Sequence, residues 1–149
     1  MKTNWKTMLL AVITLAMATV AHAASPVGRW ALNTNGYTGW LDITTMDPAG
    51  NIVGTLELTN ITPSRSDPIK GFWTDSAQKL TFYRAVDGRA VDGTPPSSPP
   101  ERIQIYTGYM FAASATNPPG PQKLSGYFEA FLGTGGTATR HVFGWFASK

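Results

Sequence analysis

The chain of 149 residues contains no cysteine and only two histidines, and its charged residues amount to 14%, against about a quarter in a typical soluble domain. Without cysteine there is no disulfide, no thiol nucleophile and no Cys-ligated zinc or iron–sulfur centre. Long apolar runs are missing too. The one such stretch, Met8–Val20, is about 13 residues, short of the roughly 20 a helix needs to cross a bilayer. Beyond it, no segment keeps a 3.6-residue periodicity over three turns, which excludes a helical bundle. What is present is a 42% hydrophobic and 11% aromatic composition, which argues for a packed domain over a disordered chain. The length suits one core.

Lys2 and Lys6 precede the apolar stretch and Ala21-His22-Ala23 follows it, the pattern of a secretory signal peptide over residues 1–23. The sequence therefore predicts a secreted or periplasmic protein, free of the membrane after cleavage, with one domain over 24–149. Removal of that segment lowers the formal charge from +3 to +1 and leaves the basic residues scattered singly. Nucleic-acid binding, which needs clustered Lys and Arg, loses its footprint. His141 is then the only histidine, so neither a transition-metal site nor a metal cofactor is expected.

The rest of the chain alternates short aromatic and β-branched segments with Gly, Pro, Asn and Asp, the signature of strands and turns. Eight strands are predicted: Gly28–Asn33, Tyr37–Met46, Ile52–Thr59, Ile69–Thr74, Lys79–Ala85, Arg102–Ala112, Lys123–Phe131 and Thr137–Ser148. Asn35-Gly36 suits a two-residue hairpin turn, since both tolerate positive φ. Mostly short connections between sequential strands favour an all-β, eight-stranded antiparallel up-and-down β-barrel, which leaves no sheet edge exposed. Glycines followed by aromatics, as in Gly28-x-Trp30, Gly71-Phe72-Trp73 and Gly144-Trp145-Phe146, fit the tight coiling that closure requires. In such a barrel the connections 1–2, 3–4, 5–6 and 7–8 share one rim. That rim would hold Asn33–Gly36, Asn60–Pro68, Asp87–Pro100 and Gly133–Gly136, and is the predicted mouth for a ligand.

Gly28-Arg29-Trp30 with Asn33 and Gly36, Gly50-Asn51-Ile52-Val53-Gly54-Thr55, and Thr107-Gly108-Tyr109 together resemble the avidin/streptavidin family. The Gly-x-Trp start is shared with lipocalins. Gln104–Phe111, Phe128–Phe131 and Phe143-Gly144-Trp145 also resemble a set of secreted bacterial proteins. The resemblance implies a non-enzymatic ligand-binding barrel, and it implies where biotin contacts would fall. A family Gly-Thr-Tyr-x-Ser stretch is here Gly54-Thr55-Leu56-Glu57-Leu58, Gly144 stands where an acid is expected, and the fifth strand lacks the pocket tryptophan. The three lost hydrogen-bonding groups, at Leu56, Leu58 and Gly144, imply weak biotin binding or none, because unpaired buried partners discriminate strongly.

Catalysis finds little support. His141 lies in an aromatic strand pattern, no Gly-x-Ser-x-Gly elbow occurs, and Glu57, Glu101 and Glu129 stand in separate segments. The expectation is no enzyme and no catalytic residue. Candidate ligand-binding residues near the mouth are Asn33, Asn35, Tyr37, Gln104 and Tyr106, with Tyr106 falling where the family resemblance implies a pocket tryptophan. Glu57 and Glu129 fit either water or a polar lumen. Two readings follow: a barrel binding a small ligand other than biotin, or a protein-interaction or inhibitor barrel acting through loops and outer aromatics, including assembly with itself. An open lumen with convergent polar groups favours the first; a lumen plugged by Trp30, Tyr106 and Phe131 would count against it.

Overall fold

The computed structural model describes residues 25–85, 103–111, 120–132 and 139–149. The predicted signal segment, the long proline-bearing connection with Arg102, the Gly133–Gly136 turn and most of the Ser114–Gln122 connection lie outside the described residues, as does the Phe131 side chain. Eight strands form a closed antiparallel barrel in sequence order: β1 Gly28–Thr34, β2 Tyr37–Met46, β3 Asn51–Leu58, β4 Arg65–Thr74, β5 Lys79–Ala85, β6 Ile103–Phe111, β7 Lys123–Leu132 and β8 Thr139–Ser148. Closure is made by β1 and β8, from Ala31 opposite Ser148 to Thr34 opposite Trp145. The Asn35-Gly36 hairpin has φ of 50° and 81°, as a two-residue turn joining right-twisted strands demands.

The period-2 alternation decides which side chains go inside. Trp30, Leu32 and Thr34 of β1 are buried, as are Leu41 and Ile43 of β2 and Leu80, Phe82 and Arg84 of β5. The lower half of the lumen is filled by Trp30, Ile43, Ile52, Trp73, Leu80, Met110 and Leu124. At its base Trp30 Nε1 donates to the Pro26 carbonyl at 2.8 Å, and Lys149 Nζ lies 4.4 Å from the Trp30 ring centre while donating to the Val27 carbonyl at 2.7 Å. Burial lowers the pKa of that ammonium.

One boundary needs correction. β4 begins at Arg65, four residues before the predicted Ile69, so the 3–4 connection is shorter than expected. Pro68 had read as a loop residue because proline cannot donate to a ladder. It is tolerated because, among the described residues, the pairing of β4 with β5 opens at Ile69, opposite Arg84, while Pro68 lies opposite Thr55 of β3. That extension carries Asp67 into the barrel.

Candidate functional site

The upper half of the lumen differs in kind. Alternation along β5, Leu80-x-Phe82-x-Arg84, carries a guanidinium inward near the rim, where Arg84 is 3% exposed. Asp67, on the neighbouring strand, is equally buried and accepts from Arg84 Nε at 2.8 Å and from its terminal nitrogen at 2.5 Å. Arg65, more exposed, donates to both Asp67 oxygens at 2.8 and 2.9 Å. Arg84 also donates to Gln104 Oε1 at 3.1 Å, and that oxygen accepts from the Tyr106 hydroxyl at 3.0 Å. A buried charge is tolerable only when paired and hydrogen-bonded; this network meets both conditions.

Below the network an aromatic floor crosses the barrel. Tyr106 is stacked between Phe82 and Phe128, with ring centres 4.6 and 4.7 Å away, and Trp145 meets Phe82 and Tyr106 edge-on. Trp145 Nε1 donates to the carbonyls of Thr107 and Tyr127 at 3.2 and 3.1 Å. Its ring needs glycine beneath it: a Cβ at Gly108 would stand 2.4 Å from Trp145 Cζ2. Burial raises the Tyr106 pKa, so the phenol stays neutral, with the Thr34 hydroxyl and Arg84 opposing that shift.

Above this floor lies a cavity of about 200 Å³. Thr34, Asn35 and Tyr37 border it on one side, Arg84, Gln104 and Tyr106 on another, and Leu58, Phe128, Ala130 and Phe143 supply the apolar wall. The Thr34 hydroxyl is buried and makes no hydrogen bond of ordinary geometry among the described residues. It lies near the Tyr106 oxygen, where it favours the phenolate. An orphaned buried hydroxyl costs about 1–3 kcal/mol. The nearby rim is held in shape: Asn60 Oδ1 accepts from the Thr38 N–H at 2.8 Å, its amide donates to the Gly36 carbonyl at 3.3 Å, and the Asn35 N–H donates to the Gly144 carbonyl at 3.1 Å.

Asn35, Tyr37, Gln104 and Tyr106, four of the residues singled out from the sequence, come together around this cavity. Asn33 does not join them. Alternation along β1 turns it outward, into a groove with Trp40 and Phe146. Glu57 and Glu129 also stand on the outer wall, Glu57 3.8 Å from Arg29 and Glu129 paired with Arg140. Gly144 is exposed, so the β8 position facing the cavity is Phe143 rather than Gly144. Trp30 and Tyr106 do fill much of the lumen, but the filling stops at the aromatic floor. The inward Asp67, Arg84 and Thr34 were missed. Alternation from Leu80 through Phe82 was the available signal for Arg84; Asp67 was hidden by its placement in a loop.

A second depression, about 520 Å³, lies at the opposite rim between the Asp47–Gly50 turn and the 3-10 turn Asp75–Ala77. Its polar groups are engaged in holding those turns. Asp47 accepts from the Asn51 backbone and side chain, which lowers its pKa, and Asp75 accepts from Gln78 and Trp73. It offers no buried polar cluster comparable to that of the upper cavity.

A closed eight-stranded meander with a polar cavity above a filled lower lumen is an avidin-like barrel. Among solved structures, a low-affinity mutant of shwanavidin matches at a TM-score of 0.54 and 12% identity, over 85% of this chain and 98% of that one. Apo shwanavidin matches at 0.53 and 12%, over 83% and 99%. At that identity the likeness is one of fold. No protein-family model matches the chain, and no curated protein sequence matches it.

Proposed function

We propose that the chain is a non-enzymatic barrel, exported to the periplasm or beyond, that binds a small ligand in the upper cavity. The observation that carries this reading is the buried Asp67–Arg84–Gln104–Tyr106 network facing a hollow that also contains the unpaired Thr34 hydroxyl. A polar cluster of this cost stands where a ligand can meet it, and an apolar filling would serve folding better. The fold neighbour has a solved apo form and a solved low-affinity mutant, which supports a ligand-binding use of the architecture.

Biotin is not the favoured ligand. Leu56 and Leu58 are inward-facing and buried on β3, with Leu58 on the cavity wall. That strand presents hydrocarbon where the family resemblance called for hydrogen-bonding groups. The cavity is also smaller than the roughly 300 Å³ at which pockets for drug-sized ligands begin. Thermal melting of the protein with biotin and a panel of small compounds tests the proposal. A ligand at 100 times its dissociation constant adds about 2.7 kcal/mol of stability. Stabilisation by a compound other than biotin is expected; a large shift with biotin would overturn the specificity, and silence across the panel would overturn the reading.

A second reading concerns the outer wall. Tyr83, Ile105, Tyr109, Phe111, Tyr127, Val142 and Phe146 are exposed on β5 to β8, and register brings Lys79 opposite Tyr109 and Ser125 opposite Phe146. Tyr83 also lies opposite Ile105, and exposed apolar side chains brought together in this way favour assembly with a second copy through the barrel wall. Light scattering on the eluting protein checks it, with a strict monomer counting against assembly.

A further inference from the structure

We propose that the upper cavity selects a small planar acid, one ring bearing a carboxylate; this rests on the small-ligand reading above and adds the chemistry of the ligand. Size sets the first limit. An apolar cavity of about 150 Å³ takes up benzene, so about 200 Å³ accommodates one ring and a small substituent. The walls suit a flat ring. Phe128 and Phe143 line the cavity beside Leu58 and Ala130; their faces are engaged in a run of rings from Tyr106 through Phe128 and Phe143 to His141, which leaves edges for a ligand ring, one of the two favoured aromatic geometries.

The polar inventory then decides the substituent. Arginine only donates, so the Gln104 atom facing Arg84 is its oxygen, and the same oxygen accepts from Tyr106. With both lone pairs engaged, Gln104 has only amide N–H groups left to offer. Arg84 carries five donors and no acceptor. The Thr34 hydroxyl, unpaired and buried, can donate as well. Charge points the same way: among the described residues two guanidiniums, Arg65 and Arg84, flank the Asp67 carboxylate, and of these three only Arg84 reaches the cavity wall. A site with surplus donors and surplus positive charge is completed by a group that brings acceptors and one negative charge. Guanidinium and carboxylate form a strong charge-assisted pair.

An NMR titration with benzoate, benzamide and benzylamine tests the inference, since backbone amide shifts locate weak binding as well as measure it. Benzoate is expected to bind at least about tenfold more tightly than benzamide, with benzylamine excluded, and its shifts are expected to centre on β1, β5 and β6. The tenfold preference corresponds to about 1.4 kcal/mol. Gln104→Leu should weaken benzoate; because it also strands the Tyr106 hydroxyl and an Arg84 N–H, the melting temperature falls, and the affinity is read at a temperature where the variant is folded. Replacing Asp67 and Arg84 together by leucine removes one charge of each sign and takes the guanidinium off the cavity wall, and should abolish the preference for benzoate over benzamide. Benzamide binding as well as benzoate, or a benzoate preference that survives the double replacement, would overturn the acid while leaving the small-ligand reading intact. If the double variant fails to fold, Gln104→Leu decides, and undiminished benzoate affinity there contradicts the proposal. Failure of all three probes rejects the acid; failure of the broader panel as well rejects the small-ligand cavity itself.

Discussion

The two halves of the lumen are built from the same strands and yet serve opposite ends. The lower half packs Trp30, Ile43, Ile52, Trp73, Leu80 and Leu124 to near-complete exclusion of water. The upper half places an aspartate, two arginines and a glutamine beside a hollow. Along β5 the change takes four residues, from Leu80 through Phe82 to Arg84. The difference teaches that closure and packing below provide the stability against which a costly polar arrangement above can be held. Tyr106 sits on the boundary, its ring in the stack and its hydroxyl in the network.

Removal of a large side chain from the lower half should have the greatest effect. Trp30→Ala should cost about 3–5 kcal/mol, the range for deleting a large buried aromatic, measured as a shift of the urea midpoint. In the upper half the single change Asp67→Ala should also cost about 3–5 kcal/mol, because it strands the buried Arg84 guanidinium. The contrast appears with the double replacement of Asp67 and Arg84 by leucine, which should be close to neutral or stabilising. No such rescue is available below, where the loss is of packing. A double variant as damaged as Asp67→Ala would show that the polar cluster is itself structural.

The boundary residue gives a pH-dependent version of the test. Burial holds the Tyr106 pKa above its ordinary value of 10.0. The stability associated with its neutral phenol is therefore complete below about pH 10 and is lost as pH rises through the folded-state value. Tyr106→Phe should make the alkaline fall in stability shallower, read from urea midpoints across that range. An unchanged profile would place the alkaline sensitivity elsewhere. The smallest effect belongs to the outer wall. Glu57→Gln removes the exposed pair with Arg29, 3.8 Å apart, and should alter stability by no more than about 1 kcal/mol, as judged by the same denaturation.

Much of the barrel could be read locally. Tyr37–Met46 and Lys79–Ala85 are strands with the predicted bounds, since alternation and turn residues act over a few positions. The Asn35-Gly36 hairpin was equally plain, and up-and-down order then put the matching ends of β1, β5 and β6 at one rim, bringing Asn35, Tyr37, Gln104 and Tyr106 to the same hollow. The polar cluster was less legible. Asp67 and Arg84 lie 17 residues apart and meet only through the β4–β5 register. A charged residue in a strand does not reveal locally that its partner faces the same interior. Asn33 faces outward, and Phe143 takes the inward position expected for Gly144, because one step along a strand reverses the face.

The central claim, that a ligand occupies the upper half of the lumen, is tested most directly by filling that space. Ala130 is buried on the cavity wall, and Ala130→Phe would project a ring into the hollow. Thermal melts of the protein and this variant should show ligand stabilisation in the first and none in the second, for any compound that shifts the original. The same stabilisation in both would place the binding site outside this cavity and contradict the account.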